Sequence, residues 1–354
     1  MTRRYQTIGG HGGRCLAGAL LVSLAAALGA CGIDQGGARA PAVQPPASSQ
    51  NQTVLVTGPI TGFGSVIVNG LTLDTSQAQM VVAGAPAVEA GLAVGQIVRA
   101  VATRTGGTLR AVRIEQQPNV VGPIASIDAA AGALTVLGQP IELDAGTVIG
   151  LPQALSDQSV GTVVSVSGFV QADGSVRATH VGGVPAGTPF SVTAPVSALD
   201  LANLRFGLGD LTIDYSQPSL LDLPAGMPVL DQLVEVRGTN VAGDVLVADA
   251  VRIIDNLPGF YGDAATALTA GESAALAGAG ANAGANTVVD ANLVGLISTS
   301  NQASLFSLGD VGVVLTSATV ITAGTAADLH PGARVQVEGE VTPAGIIAAR
   351  ITFL

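Results

Sequence analysis

The chain contains no lysine and no tryptophan, and only two cysteines and three histidines in 354 residues. Without lysine there is no Schiff-base chemistry, and all 14 positive charges are arginines. Cys15 and Cys31 both fall at the N-terminal end. The rest of the chain therefore has no disulfide, thiol nucleophile or Cys-ligated metal. His180 and His330 are the histidines beyond that region, at non-matching places in the sequence. A zinc site or catalytic triad needs partners that recur around them, so both are expected as surface or strand-end residues. Charged residues make up 11% of the chain, with a formal charge of −11. That balance excludes nucleic acid as a partner, because neutralising phosphates takes clustered cations. No G-x-S-x-G elbow occurs. Gly62-Phe63-Gly64 lacks the third glycine of a phosphate loop, and Gly278-Ala279-Gly280 lies in low-complexity sequence with no strand before it. The sequence thus points away from an enzyme and implies no cofactor.

What is present is aliphatic: 48% of residues are hydrophobic, aromatics are 3%, and there are 47 Gly and 18 Pro. Branched aliphatics separated by Gly-rich turns are the composition of many short β-strands. The first 30 residues read as a signal peptide. Arg3, Arg4 and Arg14 form a positive n-region, and Leu16–Leu28 is an apolar run too short to span a bilayer. Leu28-Gly29-Ala30-Cys31 then resembles a bacterial lipoprotein signal, with cleavage between Ala30 and Cys31 and acylation of Cys31. Gly32 stands where Asp commonly retains lipoproteins at the inner membrane. The resemblance therefore implies a lipid anchor in the outer membrane of a Gram-negative bacterium. Residues 31–52, rich in Pro, Gln, Gly and Ser, read as a disordered tether with a reach on the order of 25 Å.

Beyond the tether the chain repeats itself. Four copies are expected as small β modules at 53–117, 118–186, 187–256 and 289–354, with an Ala/Gly-rich linker at 257–288. Each opens on a strand carrying Gly58-Pro59-Ile60, Gly122-Pro123-Ile124, Ala194-Pro195-Val196 or Gly295-Leu296-Ile297. A hairpin follows. Its turn is Asn69-Gly70 in copy one, a dipeptide suited to two successive positive φ angles. Gly209-Asp210 and Gly309-Asp310 take that place in copies three and four, and a longer loop around Gly138-Gln139-Pro140 is expected in copy two. A third strand follows 21 to 25 residues after the hairpin, at Val98, Val164, Val234 and Val335. In the later copies it alternates as V-x-V-x-G, the period of a half-buried strand. Each copy closes on Ala-x-x-Ile/Val: Ala111 to Ile114, Ala178 to Val181, Ala250 to Ile253 and Ala348 to Ile351. Short strands at this density call for closure to hide their edges. The fold class is therefore all-β: four tandem small β-barrel-like, OB-like modules that pack on one another. Phe63, Phe206, Phe306 and Tyr215, on or beside hairpins, are expected in the cores.

The Gly-x-Ile opening, the hairpin ending in Asp, the V-x-V-x-G strand and the closing Ala-x-x-Val resemble domain of unknown function 5666, a repeat frequent in proteobacterial lipoproteins. That family brings no catalytic residue to this chain. Asp74, Asp144 and Asp214 are the recurring polar residues, with Val314 at the place in copy four. They are candidate ligands for a hard cation such as Ca²⁺. The simpler expectation is a strand-end carboxylate accepting backbone N–H groups in the next turn. Two roles follow. One is a lipid-anchored envelope protein whose β modules form a structural or protein-binding scaffold. The other is a binding protein for a polysaccharide, cation or small molecule, using a groove between modules. If Cys31 carries the anchor, Cys31→Ala abolishes incorporation of labelled palmitate; undiminished labelling of the variant would refute the assignment.

Overall fold

The computed structural model describes residues 52–254 and 289–354, apart from 156–157, 172, 224–225, 303–304, 309–310 and 343–344. The signal peptide with Ala30 and Cys31, the tether up to residue 51 and the linker 257–288 lie outside the described residues.

The first module shows how the sequence builds its unit. Its opening strand is Gln52–Gly62, its hairpin strands are Val66–Val68 and Leu71–Asp74, its return strand is Ile97–Thr105 and its closing strand is Thr108–Gln116. The opening strand pairs antiparallel with the first hairpin strand on one edge and the return strand on the other. Return and closing strands are antiparallel neighbours, and the closing strand runs parallel to the second hairpin strand. The ring is thereby closed, in the strand order of an OB-like barrel. The hairpin turn has Asn69 at φ 53° and Gly70 at φ 75°, as its sequence required. Between hairpin and return strand the chain lays a short strand, Gln79–Val82, parallel to the far end of the closing strand, then makes a 3-10 turn at Glu89–Gly91.

The same ring recurs. In the second module the five strands are Val120–Asp128, Ala133–Val136, Gln139–Glu142, Val163–Val170 and Val176–Gly183. In the fourth they are Val289–Gln302, Leu305–Leu308, Val311–Val314, Arg334–Thr342 and Gly345–Phe353. Both close through the same parallel contact between second hairpin strand and closing strand. The third module keeps the order but breaks its long strands in two. Phe190–Pro195 continues as Ala198–Asp200, Leu233–Gly238 as Asn240–Ala242, and Val245–Val247 as Ala250–Ile253. Single hydrogen bonds bridge the breaks, such as Ala248 N–H to the Asp214 carbonyl at 2.9 Å.

Alternation decides the interior. Val98 and Ala100, Val164 and Val166, Val234 and Val236, and Val335 and Val337 are fully buried. Two residues beyond each pair, opposite Ala102, Gly168 and Gly339, the closing strand bulges in modules one, two and four by one extra residue, at Val112, Thr179 and Ala349. The bulge tightens the bend that closes the ring. A Cβ on Gly168 would lie 2.4 Å from the Arg177 carbonyl oxygen, and one on Gly339 would lie 2.2 Å from that of Ile347. The final glycine of V-x-V-x-G is therefore set by contact with the neighbouring backbone.

Three expectations are corrected. Copy two has a two-residue turn, Leu137-Gly138, with φ 48° and 71°, and Gln139 already belongs to the next strand. Leu137 accepts the left-handed backbone because its side chain is buried in the core. The closing residues of copy three are Ala248 and Val251: Val236 faces Val251 as Ala100 faces Ile114, so the inward pair stands two residues earlier than Ala250 and Ile253. Phe63 is 41% exposed at the hairpin entrance, whereas Phe206, Phe306 and Tyr215 are core residues and the Phe206 and Tyr215 rings lie 5.4 Å apart.

The modules join out of chain order. The opening strands of modules one and four pair in parallel from Thr53↔Val289 to Thr57↔Leu293. Those of modules two and three meet antiparallel at Val120↔Val192 and Val121↔Ser191. Modules two and three share one apolar core, and Leu55 and Val101, on the outside of barrel one, pack into the core of module four. Gly339→Val should lower the unfolding free energy by about 2 kcal/mol through overpacking at the bulge, read as a lower urea midpoint. An unchanged midpoint would show that the bulge does not hold the ring closed.

Candidate ligand-binding crevice

The three recurring aspartates lie in three different barrels. Asp74 accepts the Ser76 N–H at 3.0 Å, Asp144 the Gly146 N–H at 2.7 Å and Asp214 the Ser216 N–H at 3.1 Å. Each also faces an arginine of its own module: Arg110 at 4.0 Å, Arg177 at 2.8 Å and Arg205 at 3.3 Å. Ser76 and Ser216 hold Asp74 and Asp214 below the ordinary carboxylate value. At Asp144 partial burial pushes the other way and is outweighed by Arg177 and the Gly146 N–H. Such geometry locks a turn onto a strand end. Among the described residues, no three or more His, Cys, Asp or Glu side chains cluster as a metal would require.

The two histidines differ from each other. His330 is exposed, with Nδ1 3.0 Å from its neighbour's carbonyl. His180, in contrast to the expectation, is 5% exposed in the closing strand of module two, and its Nδ1 lies 2.9 Å from the Val94 carbonyl of module one. It is a seam residue, invisible in the sequence because its partner is 86 residues away.

The site with chemical scope lies where all four barrels meet. A crevice of about 520 Å³ opens between them, within the range that holds small organic ligands. Its apolar wall is Ile97 of module one, Phe169 of module two, and Val294 and Leu296 of module four, which form one buried cluster. Arg334 of module four lies over the Phe169 ring at 5.5 Å, a cation–π contact that ties modules two and four together.

The polar wall comes from one rung of the barrel used twice. In module one, Thr57, Arg99 and Glu115 stand side by side across the opening, return and closing strands. In module three the same three positions are Thr193, Glu235 and Arg252. Inward neighbours such as Val98 and Val234 fill the cores, so strand alternation turns these rungs outward. In modules two and four the rung is uncharged: Val121, Ser165 and Gly182, then Val294, Gln336 and Thr352.

Glu235 is 1% exposed, and such a carboxylate persists only if its charge is met. Arg237 lies 2.7 Å from it, Arg252 pairs with its other oxygen, and Gln117, from the connector between modules one and two, donates to it at 2.5 Å. Glu115 is taken by Arg113 at 3.3 Å. The buried Gln117 Oε1 and Thr193 Oγ1 have no hydrogen-bond partner among the described residues, although Gln117 and Thr193 both line the crevice. The inside of each barrel could be read from one copy's alternation. The crevice needs outward residues from four copies, and no local pattern marks it.

Burial drops the His180 pKa below its ordinary 6.5, and its contact with the Val94 carbonyl only partly offsets this. The neutral ring's stabilisation is complete above the unfolded value and is lost as pH falls through the lower folded value. Melting temperature should therefore fall between pH 7 and pH 5, and His180→Gln should flatten that slope. An equal slope in the variant would remove His180 as its source.

A family model described as Domain of unknown function (DUF5666) matches residues 55–115, 121–182 and 294–352. The third module, with its interrupted strands, falls outside the matched residues. No curated protein and no solved structure matches the chain.

Proposed function

The chain belongs to the DUF5666 family, and from that premise we propose that it is a non-catalytic, lipid-anchored envelope protein that binds a small ligand in the crevice between its barrels. The crevice itself carries the reading. A scaffold of repeats needs only apolar seams, yet here four seams converge on a space of about 520 Å³ lined by Gln117 and Thr193, each with a buried oxygen that has no partner among the described residues. Unmet polar atoms against an apolar wall are the usual make-up of a ligand pocket. Export and anchoring at the outer membrane rest on the signal ending in Ala30 and Cys31.

The scaffold role is the second reading, with an envelope protein or polysaccharide as partner. It is favoured by Leu220, Leu221, Met227, Val229 and Leu230, large apolar side chains exposed on one stretch of module three. Exposed apolar groups of this density mark contact surfaces.

The crevice reading is tested with the uncharged dye Nile red. Full-length protein should bind it saturably, with a blue-shifted emission. Val294→Trp, and separately Thr299→Trp on the same lining, should weaken binding at least tenfold while the circular dichroism spectrum is unchanged. Equal dye binding by both folded variants would move the function away from the crevice.

A further inference from the structure

Building on that reading of the crevice, we propose that its ligand is an amphiphilic anion, with one carboxylate or phosphate head held by Arg99 and an aliphatic body lying on Ile97, Phe169, Val294 and Leu296. The charges around the crevice single out that arginine. Arg99, Glu115, Asp231 and Arg252 are the charged residues of the lining. Glu115 is occupied by Arg113, and Arg252 by Glu235. Asp231 is an exposed turn residue at φ 63°. Arg99 is half-buried and makes no hydrogen bond or ion pair among the described residues, although Glu115 is its cross-strand neighbour. A partly desolvated guanidinium without a counter-charge is unfavourable, and its planar fork suits a carboxylate or phosphate bidentately.

The apolar part of the ligand follows from the strand. Ile97 stands two residues before Arg99, so both point outward from the barrel, roughly 7 Å apart. Ile97 is packed against Phe169, Val294 and Leu296. A ligand whose head meets Arg99 therefore has an aliphatic surface within reach of its first few carbons. Thr193, on the same lining, adds a hydroxyl that can donate and has no partner among the described residues. A sugar fits less well, because the lining offers one aromatic ring and Arg334 lies over it. A cationic ligand would meet Glu115 already paired with Arg113, and Asp231 only in an exposed turn.

The experiment is displacement of Nile red from the full-length protein by dodecanoate, dodecyl phosphate and dodecan-1-ol, all below the concentration at which they aggregate. At least one anion should bind tenfold or more tightly than the alcohol, and the tighter of the two names the head group. Arg99→Gln should cost that anion tenfold or more in affinity and leave the alcohol unchanged. Arg350→Gln, at an exposed pair with Glu338 outside the crevice, should change neither. If Val294→Trp excludes Nile red but the alcohol competes as well as the anions, or Arg99→Gln has no effect, the crevice stands and the anionic ligand is overturned. If Nile red binding ignores Val294→Trp and Thr299→Trp, both readings fall together.

Discussion

The structure depends on one contact made in every module: the closing strand running parallel to the second strand of the hairpin. The hairpin strands are three or four residues long, and an open sheet of such pieces would expose nearly as many backbone groups as it paired. The parallel contact removes both edges at once. It also requires the chain to cross the barrel end between hairpin and return strand. The connecting segment does this while adding a short parallel strand of its own in every copy, at Gln79–Val82, Val148–Gly150, Leu220–Asp222 and Val320–Thr322. Closing-strand bulges opposite Ala102, Gly168 and Gly339 supply the curvature. Module three obtains its bend by breaking its strands instead, and the ring order survives.

Closure fixes the inside of each barrel and leaves its outside free to differ. Inward positions repeat as Val, Ala and Ile in all four copies, because one packing problem is solved four times. Outward positions of the same strands carry the individuality. Leu55 and Val101 make barrel one a partner of module four. Asn69 adds to its role in a turn a hydrogen bond from its amide to the Thr57 carbonyl at 2.8 Å and another to the Asn292 side chain of module four at 3.1 Å. Gly58 leaves the room for that amide, since a Cβ there would lie 2.0 Å from it. The order in which modules join, one with four and two with three, is written in these outward residues.

That division explains what was legible in the chain. Alternation, turn dipeptides and the recurring Asp, Val and Gly landmarks are local, so they revealed the barrels, their number and most of their strands. Local reading failed where burial outside the copy chose the conformation. Leu137 takes a left-handed turn because it is anchored in the core shared by modules two and three. Copy three offers two alanines two residues apart, both in phase with a strand's alternation, and only pairing with Val236 selects Ala248. His180 and the crevice were invisible because their meaning lies in residues from other copies.

The paired rungs show how repetition can yield a single asymmetric site. Were the middle position arginine in module three as it is in module one, that guanidinium would stand beside Arg237 and Arg252, a concentration of like charge that only several anions could offset. Glutamate at position 235 reverses the order on one wall, and its burial is sustained because Arg237, Arg252 and Gln117 converge on it. Glu235 is thereby buried, while Arg237 and Arg252 stay 32% and 37% exposed. The opposite wall keeps Arg99, whose own neighbour Glu115 has been drawn to Arg113. One rung thus secures a seam and its counterpart leaves Arg99 facing the crevice, although the two occupy equivalent places in two copies of one barrel.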